Sequence, residues 1–311
     1  MPASPSSPAD LLADLDLPIQ RDAPLGPLTW YGVGGHAEVL ARPRSTAQLA
    51  SLVSRCREHS VPLYVLGAGA NLLVRDAGVP GVVVKLDDPA WQQLSIDTDA
   101  ATITVGAGYD LFKLVTQSAK AGLDGLVHIA GIPATVGGAL RMNAGGAFGD
   151  IGSAVASVQV MAATGQTYTR DRDDLEFKYR KSNIHAPFIL EATFQLTPED
   201  PEALMKRLKE IWFYKKTTQP MSEHTAGCCF KNPDSDEQPA ADGRGAGQLI
   251  DEAGLKGHTV GSATVSDLHA NFISASSGGS ADDVLTLLDH VATVVQDTHG
   301  VSLERELVVW P

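Results

Sequence analysis

The sequence has little cysteine, which excludes two common ways of holding a fold together. Its 311 residues include three cysteines, Cys56, Cys228 and Cys229. Three are too few for a disulfide framework, and they lack the CxxC or Cys/His spacing of a zinc site. The count predicts reduced thiols and no bound metal.

The sequence also lacks the apolar stretches that direct a chain to a membrane. The first ten residues, MPASPSSPAD, have neither the basic segment nor the apolar segment of a signal peptide. No uninterrupted apolar run reaches the roughly 18 residues of a membrane span. We therefore expect a cytoplasmic protein with no membrane-inserted segment.

Basic residues are in deficit. There are 24 Lys and Arg against 37 Asp and Glu, which gives a net charge of −13 at pH 7. This charge disfavours nucleic acid or anionic lipid as the main partner, although one local cationic pocket would still bind a phosphorylated small molecule. Hydrophobic residues at 43% and charged residues at 20% are ordinary for a globular chain. The length predicts two or three domains of about 150 residues each.

Glycine, by contrast, is abundant and clustered. Seven of the 30 glycines fall within residues 125–149, GLVHIAGIPATVGGALRMNAGGAFG. Glycine lets the backbone approach a ligand closely, and consecutive amides can surround an anion. We therefore favour a ligand site at Gly131–Gly138. For Gly106 and Gly108, a ligand site and a plain turn remain equally good interpretations.

A second glycine cluster, GAGANLLV at Gly67–Val74, follows a predicted strand. It fails the Rossmann dinucleotide pattern, because Leu72 stands where the third glycine is required. A parallel crossover helix also needs a dozen or more residues, and only a short Gly/Pro-containing segment lies between Leu66 and Val82. A nicotinamide-binding Rossmann domain is therefore not expected.

Hydrophobic periodicity predicts alternating strands and helices. The helices are expected at Thr46–His59 with Ser45 as its cap, Asp110–Lys120, Glu202–Tyr214, and a last helix that Ser280 and Asp283 begin as a capping box and Gly300 ends. The strands are expected at Ala37–Ala41, Leu63–Leu66, Val82–Leu86, Ala101–Val105, Val155–Ala162, Gln166–Thr169, Phe188–Leu196 and Val301–Trp310. The last strand is expected to rejoin an earlier sheet, and the DRDD run at Asp171–Asp174 to form a solvated turn.

Seven short motifs follow one another along the chain. They are GAGANLLV (Gly67–Val74), GIPATVGGALRMNAGG (Gly131–Gly146), YRKS (Tyr179–Ser182), AGCCFKNP (Ala226–Pro233), AGQLIDEAGLKG (Ala246–Gly257), HANF (His269–Phe272) and LERE (Leu303–Glu306). With these motifs in this order, the chain closely resembles the UDP-N-acetylenolpyruvoylglucosamine reductases, which are the FAD enzymes of peptidoglycan precursor synthesis. The resemblance extends from about Thr29 to Glu306. Only Thr197–Pro201 separates the preceding strand from the next helix. The chain therefore resembles the shorter subtype of the family, which lacks a tyrosine-bearing loop at this point.

The resemblance implies an α+β protein with an FAD-binding fold of the vanillyl-alcohol-oxidase type and a C-terminal α/β substrate-binding domain. The expected boundaries are a flexible tail at residues 1–18, FAD-binding subdomain 1 at 19–86, FAD-binding subdomain 2 at 87–200 with 301–311, and the substrate domain at 201–300. The implied cofactor is FAD. NADPH is the implied reducing co-substrate, and a UDP-sugar is the other small-molecule partner. The oligomeric state stays open.

The reaction implied by the resemblance adds a hydride from FAD N5 to UDP-N-acetylglucosamine enolpyruvate and yields UDP-N-acetylmuramate. Negative charge then develops beside a carboxylate, so the site needs a stabilising cation and a proton donor. Arg180 in YRKS matches the family's catalytic arginine. Glu306 in LERE matches its C-terminal glutamate, and we expect it to carry or share a proton, since a bare carboxylate would repel the enolate.

Cys228 stands where the family's proton donor is commonly a serine. A thiol, with an ordinary pKa near ~8.5, gives up its proton more easily than an alcohol does. Cys229 competes for this role. If the segment is extended, however, neighbouring side chains point to opposite faces, and only one thiol can address the flavin.

The resemblance also implies binding residues, for the most part within the same motifs. For the cofactor they are Gly67, Ala68, Gly69, Ala70, Asn71, Leu72, Gly131, Ile132, Pro133, Ala134, Thr135, Gly137, Gly138 and Asn143. For the substrate they are Tyr179, Lys215, Lys216, Lys231 and Asn232. For His269, a structural hydrogen-bonding function and a ligand-binding function are equally good interpretations. We do not expect His269 to act as a base.

Simpler interpretations remain open. Arg180 could pair with the DRDD acids, the adjacent cysteines could be buried core thiols, and Lys215 and Lys216 could be solvated charges at a helix end. Two rival functions are a flavin oxidase of the same fold acting on a sugar or hydroxy acid, and a catalytically silent flavin- or nucleotide-binding protein.

Overall fold

The computed structural model describes residues 7–146, 148–234 and 236–311. Their contacts divide the chain into two compact units. Unit 1 contains residues 7–23, Glu38–Ala68 and Pro80–Tyr214, and unit 2 contains Pro24–Ala37, Gly69–Val79 and Lys215–Pro311.

The helices of the described residues are few and mostly short. The α-helices are Pro8–Leu11, Thr46–Glu58, Leu111–Lys120, Val136–Arg141, Pro201–Thr218, Ala246–Glu252 and Ala281–His299. Short 3-10 helices lie at Gly26–Leu28, Pro89–Trp91, Val127–Ile129, Ile151–Ala154, Arg172–Asp174 and Pro239–Ala241. Within the described ranges, no helix has the length and apolar character needed to cross a membrane.

Unit 1 is built on two larger sheets. The four-stranded sheet has the order Ile19–Pro24, His36–Ala41, Val79–Lys85 and Leu63–Leu66. The five-stranded sheet is antiparallel and has the order Thr167–Asp171, Val155–Met161, Phe188–Gln195, Thr102–Gly106 and Leu94–Asp97. Three two-stranded pairs complete the unit: Gly145–Gly146 with Gly149–Asp150, Phe177–Lys178 with Lys181–Ser182, and Leu123–Asp124 with Thr197–Pro198.

One parallel pair in the four-stranded sheet positions the functional residues of unit 1. Leu63–Leu66 pairs in parallel with Val79–Lys85, and Leu66 lies beside Lys85. The two strands therefore end together, and the glycine cluster that begins at Gly67 starts at this edge. Ligands of open parallel sheets characteristically bind at the carboxyl ends of the strands.

Each sheet of unit 1 has its own apolar core. Ile103 and Val105 alternate with more exposed residues along their strand, so they face the helix Leu111–Lys120 and the rest of the first core. The helix Thr46–Glu58 buries Leu49, Leu52, Val53 and Cys56 against the four-stranded sheet.

Unit 2 packs two helices on a small antiparallel sheet. The sheet has the order Thr259–Val260, Ala263–Val265 and Ile273–Ala275. The helix Ala281–His299 buries Val284, Leu287, Leu288, Val291 and Val295, and its neighbours are this sheet and the helix Ala246–Glu252. A separate parallel pair joins Leu72–Val74 to Val308–Trp310.

Most of the predicted elements are confirmed, with shifts of one to three residues at their ends. Ser45 caps the helix Thr46–Glu58, and Asp110 caps the helix Leu111–Lys120. The DRDD run forms an exposed 3-10 turn. The helix predicted to end at Tyr214 continues to Thr218, so Lys215 and Lys216 lie in its last turn instead of following it.

The structure corrects the expected tail. Residues 1–6 lie outside the described residues, but residues 7–18 are packed rather than flexible. Ala9, Leu12 and Leu17 are buried in the core of the four-stranded sheet, and Arg55 donates to the carbonyl of Leu11 at 2.9 Å. Apolar burial therefore anchors a segment that the sequence interpretation treated as a tail.

The last strand and the grouping of residues 301–311 also differ from expectation. The strand is confined to Val308–Trp310, and it pairs with Leu72–Val74 rather than with the sheet of residues 87–200. Residues 301–311 accordingly group with residues 215–300, in unit 2. Residues 24–37 and 69–79, expected in the first subdomain, also belong to unit 2, because Tyr31, Val33 and Leu73 are buried in its core.

The start of the helix Ala281–His299 is capped differently from the prediction. Ser280 is its N-cap and Gly300 ends it in a left-handed conformation, as expected. Asp283 does not close a capping box, because its carboxylate accepts hydrogen bonds from the backbone and hydroxyl groups of Ser262. Asp76 supplies the second cap, since its carboxylate accepts from the Ser280 hydroxyl at 2.7 Å and from the Ala281 N–H at 3.1 Å.

We expect Asp76→Ala to lower the free energy of unfolding by about 0.5–2 kcal/mol at neutral pH, the usual value of an N-cap. Burial raises the pKa of Asp76, but its hydrogen bonds from Ser280 and the helix amides outweigh this, and the pKa is lowered overall. A lowered pKa means that the stabilisation is present above the unfolded-state pKa and is lost as the pH falls through the folded-state pKa. Urea unfolding of both proteins at several pH values tests this.

Asp297→Ala, at an exposed position near the other end of the same helix, is the matched control. It removes the same charge without removing a cap, and we expect little effect on stability. Equal effects of the two substitutions, or a difference from wild type that does not shrink as the pH falls, would contradict the assignment of Asp76 as the cap.

Candidate functional site

Unit 1 contains a cleft at the carboxyl ends of the two parallel strands. Four of the predicted cofactor-binding residues line it together: Gly67, Thr135, Gly137 and Gly138. Gly108, for which the sequence left function open, lies in the same wall. The two glycine clusters therefore meet at one cleft in the fold, although Gly67 and Thr135 are 68 positions apart in the sequence (135 − 67).

Glycine is required where the walls of this cleft come closest. A Cβ at Gly67 would lie 2.8 Å from the Thr135 Oγ1, and a Cβ at Gly108 would lie 2.0 Å from the carbonyl oxygen of Leu86. Both separations are shorter than a Cβ tolerates, so any side chain here would push the walls apart. The glycines thus set the shape of the cleft.

The cleft also contains two cations that the sequence analysis missed, Lys85 and Arg141. Lys85 donates to the carbonyl of Gly67 at 2.8 Å. Arg141 donates to the carbonyls of Ile184, Ala186 and Pro187, so its guanidinium supports the wall. Arg141 lies within the motif Gly131–Gly146 but was not singled out there, and Lys85 had no sequence signal, because the pairing with Leu66 that brings it to the cleft is visible only in the fold.

The other predicted cofactor-binding residues are not among the residues that line this cleft. Ala68 follows Gly67 in unit 1, whereas Gly69, Ala70, Asn71 and Leu72 belong to unit 2. The residues Gly131, Ile132, Pro133 and Ala134 precede the helix Val136–Arg141. Their contact with a cofactor stays a prediction.

Asn143 has a supporting position. Its buried side chain accepts from the N–H of Gly152 at 3.0 Å and donates to the carbonyl of Lys178 at 2.9 Å. The second bond ties the glycine-rich segment to the hairpin that carries Arg180. A direct contact of Asn143 with cofactor is not needed to explain its presence.

Arg180 lies at the tip of the hairpin formed by Phe177–Lys178 and Lys181–Ser182 in unit 1. Its backbone has a φ of +53°, which side-chain-bearing residues adopt infrequently. The guanidinium donates to the carbonyl of Gly145 at 2.9 Å and lies over the ring of Tyr179, 5.1 Å from its centroid. The hairpin and the glycine-rich segment therefore hold the arginine in one place.

The two adjacent cysteines of unit 2 are distinguished by burial. Cys228 is partly exposed, whereas Cys229 is 1% exposed and its Sγ lies 3.6 Å from the Tyr31 hydroxyl. Burial raises the pKa of the Cys229 thiol to about 11, and the hydrogen bonds with Tyr31 and Ile273 offset only part of this rise. Both residues lie within the described ranges, and neither is in a disulfide. The more accessible thiol is therefore the one that the motif selects.

Glu306 lies beside this cysteine segment. Its N–H donates to the carbonyl of Cys229 at 2.8 Å, and its carbonyl accepts from the Asn71 side chain at 3.1 Å. The segment itself is fixed by the buried Asn271, whose side chain bonds both the N–H and the carbonyl of Phe230. Asn271 lies in HANF, but the motif alone did not indicate this function.

Cys228 and Glu306, two of the three predicted catalytic residues, belong to unit 2, and the third, Arg180, belongs to unit 1.

The predicted substrate-binding residues are distributed between the units. Tyr179 is 54% exposed in unit 1. In unit 2, Lys215 is buried and Lys216 is exposed, so the interpretation of both as solvated charges is wrong for Lys215.

Lys231 and Asn232, both in unit 2, already have structural contacts. Lys231 pairs with Glu304, and Asn232 accepts from the N–H of Ala246 at 3.0 Å. The ring of His269 accepts a hydrogen bond from the N–H of Asn271, and burial lowers the pKa of His269. Both observations agree with a structural function.

Comparisons with known proteins agree with this division of the chain. Residues 37–170 match the family model of an FAD binding domain, and residues 219–310 match that of the UDP-N-acetylenolpyruvoylglucosamine reductase C-terminal domain. The reductase of Desulfosudis oleivorans is 38% identical over 302 residues, which cover 94% of either chain. That of Moorella thermoacetica is 38% identical, over 97% of this chain and 96% of the relative.

Solved structures give the same result. The UDP-N-acetylenolpyruvylglucosamine reductase of Thermus caldophilus superposes with a TM-score of 0.79 at 37% identity, covering 95% of this chain and 100% of that one. Phl p 4, a glucose dehydrogenase, superposes with a TM-score of 0.51 at 18% identity, over 63% of this chain and 45% of its own. The second likeness concerns the fold alone. The predicted vanillyl-alcohol-oxidase type of FAD-binding fold, with a separate C-terminal domain, is confirmed.

The cleft in unit 1 fits part of an FAD molecule. It offers closely approaching glycine backbone and the ammonium of Lys85, which are the groups that a diphosphate needs. Its volume of about 130 Å³ suits one portion of the cofactor, since pockets for whole drug-sized ligands usually have about 300–1,000 Å³.

The similarity over nearly the whole chain and the fit of this cleft lead to one conclusion: the chain belongs to the UDP-N-acetylenolpyruvoylglucosamine reductase family, and it is an FAD-dependent oxidoreductase.

Proposed function

We propose that the chain uses NADPH to reduce UDP-N-acetylglucosamine enolpyruvate to UDP-N-acetylmuramate. The observation that carries the proposal is the hydrogen bond from the N–H of Glu306 to the carbonyl of Cys229. It joins the two motifs that hold the proposed proton donor and the proposed glutamate, 78 positions apart in the sequence (306 − 228). This backbone hydrogen bond holds the two motifs next to each other, as a site built from both motifs requires.

The chemistry that bound FAD supplies is hydride transfer, received from NADPH and passed to the terminal carbon of the enolpyruvyl group. The residues of this chain have the remaining tasks. They must stabilise the negative charge that develops beside the substrate carboxylate, and they must deliver one proton to the carbon next to it. One hydride and one proton together saturate the double bond.

Arg180 stabilises the developing charge in this proposal. A guanidinium is charged at every physiological pH and presents a planar pair of donors that matches a carboxylate or an enolate. The bond to Gly145 and the contact with Tyr179 support this function because they restrict the side chain before substrate arrives.

Cys228 delivers the proton in this proposal, and its partial exposure supports the choice over Cys229, whose thiol is enclosed beside Tyr31. Glu306 acts in its protonated form, because a second negative charge beside an enolate would repel it. Tyr179, Lys215, Lys216, Lys231 and Asn232 are proposed to bind the sugar nucleotide. A cytoplasmic location agrees with a catalytic thiol that must stay reduced.

The test is an anaerobic one with two half-reactions. The purified protein is reduced with NADPH, the excess is removed, and UDP-N-acetylglucosamine enolpyruvate is added while the flavin absorbance is followed. We expect bleaching in the first step and recovery of the oxidised spectrum in the second. UDP-N-acetylglucosamine, which lacks the enolpyruvyl group, is the control and is expected to leave the protein bleached.

The rival functions give different results in the same experiment. A flavin oxidase would stay bleached with the sugar nucleotide and recover rapidly with oxygen. A silent binding protein would bind the ligands without either transfer. Either result would contradict the proposal.

We expect Cys228→Ala to slow the reoxidation by substrate about 100-fold or more, the usual contribution of a general acid. Reduction by NADPH should proceed at the wild-type rate, because it requires no proton from this thiol. Cys228→Ser restores an O–H donor, and it should remain within about tenfold of wild type in both steps. Stopped-flow measurement of each half-reaction separates these effects.

Cys56→Ala is the matched control, since Cys56 is a buried core thiol of unit 1. It should leave both half-reactions unchanged. If Cys228→Ala reoxidised at the wild-type rate, Cys228 would not be the proton donor.

We expect Arg180→Gln to slow reoxidation by about 100- to 1,000-fold, since it removes the charge that faces the enolate while keeping a donor. Arg180→Lys should recover part of the rate, because an ammonium lacks the planar fork. Arg172→Gln, on the exposed turn that precedes the same hairpin, is the control and should behave as wild type. If Arg180→Gln slowed reduction by NADPH as much as it slowed reoxidation by substrate, Arg180 would have a general structural function instead.

A further inference from the structure

Lys85 is brought to the cofactor cleft by strand pairing. It is the last residue of its strand and lies in register with Leu66, the residue before the glycine cluster. Its ammonium donates to the carbonyl of Gly67, the first residue of that cluster, at 2.8 Å. The side chain therefore reaches across the parallel pair to the start of the glycine turn.

The charged residues that line the cleft have different partners. Asp87 is paired with Arg42, which follows the neighbouring strand. Arg141, on the opposite wall, is engaged by three backbone carbonyls. Lys85 is hydrogen-bonded to a neutral carbonyl, and an ammonium carries three N–H donors, so one bond does not use its full capacity.

A half-buried ammonium in this setting is costly without an anion. Burial, and to a smaller degree the nearby Arg42, lowers the pKa of Lys85 to about 8. The charged form is thus disfavoured before a ligand binds, and an anion in the cleft would stabilise it. In an acidic chain with a net charge of −13, a cation held at a glycine-walled cleft indicates an anionic ligand.

We propose that Lys85 binds a phosphate oxygen of the FAD diphosphate while its bond to Gly67 fixes the start of the glycine turn. The inference rests on FAD as the cofactor and adds a residue that none of the seven motifs contains. Lys85 is a binding and positioning residue in this account and has no function in the proton or hydride transfer.

The proposal has a consequence for pH. Because binding favours the protonated ammonium, the affinity for FAD should be highest below about pH 8 and should fall as the pH rises through that value. The other charged side chains near Lys85 are Asp87 and Arg141, which line the cleft, and Arg42, which pairs with Asp87. Riboflavin, which has no phosphate, should bind with no such dependence.

The experiment measures the dissociation constants of FAD and of riboflavin for the apoprotein by quenching of flavin fluorescence. For wild type the ratio of the two affinities should fall between about pH 7 and about pH 9.5. Lys85→Met should weaken FAD binding about 10- to 100-fold at neutral pH and remove its dependence on pH, with riboflavin binding unchanged. Lys85→Arg should retain most of the affinity for FAD.

Lys120→Met, an exposed lysine in the last turn of a helix of the same unit, is the matched control and should bind both flavins as wild type does. Equal weakening of FAD and riboflavin by Lys85→Met would overturn the proposal, because it would indicate a structural function of the Gly67 bond alone. If Lys85→Met does not fold, a wild-type FAD affinity that is constant across the pH range would overturn it as well. If the wild-type protein reduces the enolpyruvyl substrate, the proposed reaction stands whatever these binding measurements give. If the wild-type protein binds FAD but does not reduce that substrate, the proposed reaction is contradicted and the inference about Lys85 is not.

Discussion

The backbone of Glu306 is held from two sides by segments that are distant in sequence, and the functional part of unit 2 depends on this. Its N–H bonds the carbonyl of Cys229, and its carbonyl bonds the side chain of Asn71. Two residues later, Val308–Trp310 pairs with Leu72–Val74. The first glycine cluster, the cysteine segment and the C-terminal motif are thereby joined, although they are far apart in the sequence.

Unit 1 depends on a different constraint, the close approach of backbone segments. The parallel pairing of Leu63–Leu66 with Val79–Lys85 ends both strands at one edge, and glycine at positions 67 and 108 allows the neighbouring walls to come within a distance that a Cβ would prevent. The same pairing carries Lys85 to the cleft. Asn143 and the carbonyl of Gly145 then tie the hairpin of Arg180 to the glycine-rich segment. Backbone contacts of unit 1 therefore shape the cleft and fix the position of the Arg180 side chain.

The sequence predicted well what local patterns determine. Helix caps at Ser45 and Ser280 and the helix end at Gly300 follow from local chemistry, and all three are seen. The glycine clusters marked the cleft because they are unusual in composition. The sequence did not indicate that Asp76 caps a helix, that Asn271 fixes the cysteine segment, or that Lys85 lines the cleft. Each of these side chains contacts a segment that is distant in the sequence. The packing of Leu12 and Leu17 was missed for the same reason, because a short Pro/Ser-rich start hides apolar residues whose partners lie elsewhere.

The central claim is that this chain adds a hydride to one carbon of an enolpyruvyl group and a proton from an exchangeable side chain to the other. The most direct measurement is the position of deuterium in the product of a reaction run in D₂O with unlabelled NADPH. A thiol exchanges its proton with solvent, so the account predicts one deuterium on the carbon next to the carboxylate. A product without deuterium on that carbon would contradict the account.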